Sequence, residues 1–196
     1  MKSKPWSNHL VGAIFAFVLS VCTVGNLVTG YDLEAASMVP FILWCACCAL
    51  VCAFLFGFKY GEIALLCLTV LLAPVLWKDG VLWDELQSLC YTVSAHYHNI
   101  HGWPIIGEAI TDGVDRPLMV LSFWTAVSVS WCLCRRKNIF IALPSVILPL
   151  VACLITTDKL PDEIYLYLLI LGIAVMLMTD WSRRREPAQE ARLTLR

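Results

Sequence analysis

Uncharged stretches constrain this chain more than any other feature. Leu10 to Tyr31 and Ala35 to Phe58 carry no formal charge, and Pro117 to Cys134, Asn138 to Thr157 and Ile164 to Thr179 follow the same pattern. A hydrocarbon core of about 30 Å takes roughly 20 apolar residues in helix, so each of these runs reads as a membrane span. A sixth, Ile63 to Trp77, covers only about 22 Å at ~1.5 Å per residue. It needs help from its flanks, where Tyr60 and Trp77 stand as interface aromatics and Lys59 and Lys78 are placed to snorkel.

The expected fold is therefore all-α: a polytopic membrane helix bundle of about six transmembrane helices plus one amphipathic extracytoplasmic helix. The spans fall at about 9–30, 37–57, 61–77, 117–134, 138–157 and 163–181, and the amphipathic helix at about 80–97. Residues 1–182 form one transmembrane domain and 183–196 a basic cytoplasmic tail, with Tyr60, Trp77, Trp103 and Trp181 as interface anchors. Composition agrees. With 60% hydrophobic and 15% charged residues, the chain has too few charges to clothe a soluble globule, and a net charge of −1 leaves no basic face for nucleic acid. The expected partner is the lipid bilayer. Lys2 and Lys4 precede the first run as in a signal peptide, but that run is longer than a typical signal core and further spans follow, so a retained helix is expected.

Charge distribution gives an orientation independently of the span count. With six alternating crossings and a cytoplasmic N-terminus, only Lys78, Arg116 and Lys159 of the 14 basic residues fall outside. Most acids join them there: Asp32, Glu34, Asp79, Asp84, Glu85, Glu108, Asp112, Asp115, Asp158, Asp162 and Glu163. The expectation is a multi-pass protein of the cell membrane with both termini cytoplasmic.

Between Lys78 and Arg116, Leu82, Leu86, Leu89, Cys90, Val93 and Tyr97 recur at helical spacing while Asp84, Gln87, Ser88 and Ser94 interrupt them. This helix either extends the third span, lies in the interface or forms a re-entrant segment. Just beyond it, "HYHNIHGWP" gathers His96, His98 and His101. A continuous helix points these imidazoles in different directions, and no carboxylate or cysteine completes a zinc set, so they are weak metal or pH-sensing candidates. Gly102, Trp103 and Pro104 read as a turn anchored by an interfacial indole.

Nine of the ten cysteines lie in or beside apolar runs, and Cys45, Cys48 and Cys52 share one helical face, a pattern of small-residue packing. Cys132 and Cys134 neighbour Arg135 and Arg136, whose charges favour a thiolate, but no substrate geometry is evident. No nucleophile and base, phosphate loop or paired carboxylate is expected to make this chain catalytic, and no cofactor is implied. Asn26 is the most polar side chain deep in a span, where a single amide commonly joins helices. Pro144 and Pro149 should bend the fifth span.

The stretch "RRKNIFIALPSVILPLVACLITTDKLPDEIYLYLLILGIAVMLMTDWSRRREPAQEARLT" resembles the N-terminal membrane region of bacterial transglutaminase-like membrane proteins. In both, a basic loop, a proline-containing helix, an acidic turn, another helix and a basic cytoplasmic stretch follow in order. "YTVSAHYHNIHGWP" is similar to the same family's extracytoplasmic segment. The resemblance covers about residues 80–196 and implies a non-catalytic multi-pass anchor or scaffold. The family's papain-like domain, with its cysteine, histidine and aspartate, would lie beyond a further crossing, so no site residue carries over. A fragment, a split gene with a separate transglutaminase-like partner, and a shortened relative are all consistent with this. A small transporter or channel subunit and an extracytoplasmic metal or pH sensor are the alternatives.

Overall fold

The computed structural model describes residues 5–33, 38–77, 79–108, 110–111, 113–135 and 139–194, with side chains except those of 5–8, Leu72, Val75, Leu76 and 180–194. Among them are seven α-helices and no strand: α1 (Pro5–Gly30), α2 (Met38–Phe56), α3 (Gly61–Trp77), α4 (Val81–His101), α5 (Asp115–Cys134), α6 (Leu143–Thr156) and α7 (Glu163–Thr194). A short 3-10 turn, Ile139–Ile141, precedes α6. The expected anchor Trp181, the basic side chains of the tail, and Lys2, Lys4, Lys78, Arg136 and Lys137 lie outside the described side chains.

Among the described residues, three helices are long and apolar enough to cross a membrane: His9–Gly30 within α1, with mean hydropathy 2.2, α2 at 2.5 and α5 at 1.6. The chain is a membrane-embedded helical protein. The other three expected spans emerge as shorter apolar helices, Gly61–Leu71, Leu143–Thr156 and Glu163–Thr179. Proline chemistry accounts for one of them. Pro144 cannot donate a helical hydrogen bond and so sits in the first turn of α6, where none is required; the residues before it form the 3-10 turn instead. The 14 residues left in α6 cover about 21 Å. At the other end, the backbone of the expected basic tail continues α7 to Thr194.

Around α1 pack α2, α5, α6 and α7, while α3 sits at the edge against α2 and α4. Small residues permit this closeness. Ala16 and Cys22 of α1, Cys48 and Ala49 of α2, Ala126 of α5 and Ala142 before α6 are buried together with Leu19, Val129, Leu169 and Met176. Without a hydrophobic drive between helices in lipid, such close packing and interhelical hydrogen bonds are what hold a bundle together. Ser20 Oγ donates to the Ser122 carbonyl at 3.2 Å, and Trp44 Nε1 donates to the Met119 carbonyl at 3.0 Å. Cys45, Cys48 and Cys52 are buried on one face of α2 as their spacing predicted, and all ten cysteines are free.

At the end of the bundle that carries the α2–α3 turn, Arg135 caps the arrangement. Its Nη2 donates to the carbonyls of Phe58 at 2.6 Å and Lys59 at 3.3 Å, while Glu62 accepts from Trp131 Nε1 at 3.0 Å. At the opposite end, Thr29 Oγ1 accepts from the Asp162 amide at 3.1 Å, and Asp32 pairs with Lys159. These contacts tie the loops at the two ends of the bundle to neighbouring elements.

Candidate functional site

The most organised polar structure lies on α4. The expected helix at 80–97 runs instead from Val81 to His101, bounded by Gly80 and Gly102, both with φ of 71°. Glycine fits both boundaries because L side chains are disfavoured in the left-handed region. Gly102 donates to the His98 carbonyl at 2.7 Å and closes the helix, so the bend falls at the "GWP" turn, after all three histidines rather than among them.

From Gly102 the chain doubles back along α4 towards Val114, forming a strap whose described residues are 102–108, 110–111 and 113–114. The described part of the strap is irregular backbone, which must find its hydrogen-bond partners outside regular structure. The polar residues of α4 supply them. His98 Nδ1 donates to the Trp103 carbonyl, Ser94 Oγ accepts from the Ile106 amide at 3.0 Å, and Ser88 Oγ accepts from Ile110 at 3.1 Å and Thr111 at 3.0 Å. Thr111 Oγ1 then donates to the Gly113 carbonyl at 3.1 Å. Because one Ser88 hydroxyl serves two amides, its removal should be costly. Ser88→Ala is expected to lose about 1–3 kcal/mol and to speed amide exchange at Ile110 and Thr111 selectively. Unchanged exchange there would contradict the assignment.

Glu85 completes the strap. It is buried, and its Oε2 accepts the Arg116 amide at 2.7 Å while Oε1 lies 3.8 Å from Arg116 Nε. The first amides of a helix lack partners within it, and Val114, the residue preceding α5, offers no side-chain cap. A carboxylate from another helix fills that role and favours the positive end of the α5 dipole. Pro117, also in the first turn, has no amide to satisfy.

The three candidate histidines take separate partners. His96 Nδ1 donates to Thr92 O at 2.9 Å, and its ring meets Tyr31 edge-on with centroids 5.5 Å apart. Tyr31 in turn bonds Thr156 Oγ1, tying the end of α1 to α6. His98 is exposed and holds the strap. His101 lies against Tyr97 at 4.5 Å. Among the described residues, no group of three or more His, Cys, Asp or Glu side chains is placed to hold a metal.

Tyr60, Trp77 and Trp103 are all exposed. Glu85, Ser88 and Ser94 are the residues that sequence reasoning left without a role. Their helical spacing was visible, but their partners lie in an irregular segment that leaves no periodic trace. Comparison with protein-family models, with curated proteins and with solved structures gives no match to this chain.

Proposed function

We propose that this chain is a multi-pass anchor or scaffold of the cell membrane, not itself catalytic, which presents the α4 platform on the extracytoplasmic side to a transglutaminase- or protease-like activity. The observation that carries the reading is the strap. Three polar side chains of α4, those of His98, Ser94 and Ser88, are spent on holding the strap and a fourth, Glu85, on capping α5, which suits a docking platform better than a site of chemistry. The resemblance of residues 80–196 to the membrane region of bacterial transglutaminase-like proteins supplies the proposed partner, either fused or separate.

In this reading all six apolar helices cross the bilayer, the three shorter ones through local thinning of the lipid and snorkelling flanking residues. The basic residues then gather on the cytoplasmic side with both termini. Co-purification from native membranes tests the role: a transglutaminase-like protein, or a longer product containing this chain, is the expected companion. Substrate-dependent flux in vesicles holding only this chain would contradict it.

One observation favours a transport subunit instead. Asn26 is buried within α1, and neither its Oδ1 nor its Nδ2 has a hydrogen-bond partner among the described residues. Intramembrane polar groups mark many substrate paths. Flux abolished by Asn26→Leu would establish that reading.

A further inference from the structure

The strap has a property that a water-exposed loop does not need. Loops in water leave many backbone groups to the solvent, whereas the amides of Ile106, Ile110 and Thr111 and the carbonyls of Trp103 and Gly113 are all satisfied by side chains. Irregular backbone in the hydrocarbon needs every polar group met, and the amides of Ile105, Gly107 and Glu108 have no partner among the described residues, which keeps the strap at the lipid–water boundary rather than deep in the leaflet. Most of the side chains that the described strap turns outward are apolar: Trp103 is 63% exposed and Ile106 69%, with Ile105 and Ile110 also exposed, while the exposed Glu108 brings one charge at the strap's middle. Gly102 to Gly107 carries no charge.

The same face continues onto α4. Trp83, Leu86, Cys90 and Tyr97 follow one another at helical spacing along a single side; the first three are exposed and Tyr97 half-buried. The aromatic rings join the two surfaces, since Tyr97 lies 6.2 Å from Trp103 and 4.5 Å from His101 between centroids. The buried charge on this element, Glu85, is on the opposite side and paired with Arg116. At both ends the face runs into the membrane surface of the bundle: exposed Trp77 closes α3 just before α4, and the strap leads directly into α5, a helix able to span.

We propose that α4 and its strap lie at the lipid–water boundary at their end of the bundle, with the side chains of Trp103, Ile105 and Ile106 among the upper acyl chains and the α4 stripe beside them. The occupant of this apolar face is the bilayer itself, continuous with the lipid around the spanning helices. This inference depends on the membrane embedding of the bundle and is independent of the anchor role. Lipid at the platform would set its height and tilt relative to any partner.

Reconstitution into phosphatidylcholine vesicles brominated at shallow or deep acyl positions tests it through tryptophan emission. Subtracting the spectrum of Trp103→Phe from that of the unaltered protein isolates Trp103, and Trp124→Phe isolates Trp124, which is exposed on α5. The expected result is blue-shifted Trp103 emission that loses most of its intensity to the shallow bromines and less to the deep ones. Trp124 should be quenched as a lipid-facing residue of the bundle. Quenching of Trp124 with red-shifted, unquenched Trp103 would overturn the proposal while leaving the embedded bundle intact. Failure to quench either would overturn both.

Discussion

Glu85→Ala should detach the start of α5 from α4, lowering stability by about 1.5–3 kcal/mol, the range for a hydrogen bond that involves a charged group. The loss has two parts. The Arg116 amide, now donating to Oε2 at 2.7 Å, returns to the unpartnered state of an uncapped helix start, and the Arg116 guanidinium loses its countercharge. Arg116 keeps partial access to solvent, so the second part is the smaller. Glu85→Gln retains an acceptor of nearly the same shape and should lose less than half as much. Thermal unfolding in lipid nanodiscs measures the loss, and proteolysis within residues 102–114 reports whether the strap has loosened. Equal effects of alanine and glutamine would show that the carboxylate charge, not the cap, is what matters; no effect of either would remove Glu85 from the account.

Gly25→Ala is expected to disturb the packing of α1 against the start of α7. A Cβ at this position would lie 2.7 Å from Cγ of Tyr165, closer than real contacts come, so α1 and α7 could keep their spacing only if the ring moved. Overpacking of this kind costs about 1–3 kcal/mol. The backbone propensity of alanine works in the opposite direction, since glycine is the poorer helix former, which makes a net loss diagnostic of the steric conflict. Combining Gly25→Ala with Tyr165→Ala should restore part of the stability that the two single changes would lose if they simply added, because the ring that clashes is gone. Strict additivity of the two would mean that the helices do not meet at this point.

The legible part of the structure was whatever repeats. The apolar runs fixed α1, α2 and α5 nearly to their ends, and the spacing of Cys45, Cys48 and Cys52 identified a buried face of α2. Amphipathic periodicity found α4 as well, but not its length: the polar residues His98, Asn99 and His101 read as loop, whereas the helix continues until Gly102 offers the left-handed conformation that ends it. The later apolar helices were harder because an uncharged run does not reveal where its helix begins. Pro144, expected to bend this stretch, instead sets that point for α6 and leaves a 3-10 turn before it. The site was the least visible. Ser88 and Ser94 looked like interruptions in an apolar pattern, yet their hydroxyls carry the strap, and this pairing joins residues with no shared periodicity. The histidines drew attention by clustering in sequence, but in space they serve Tyr31, the Trp103 carbonyl and Tyr97 separately.

The number of crossings decides between two readings of the same helices, and parity separates them. Six crossings return the C-terminus to the side of the N-terminus, whereas the three helices long enough to span on length and composition alone leave the ends on opposite sides. The direct measurement is protease accessibility of epitope tags at both ends, in sealed right-side-out and inverted membrane vesicles. The six-crossing anchor predicts that both tags are cleaved only in inverted vesicles and that a tag after Gly113 is cleaved only in right-side-out ones. Cleavage of the two terminal tags in opposite preparations would contradict it.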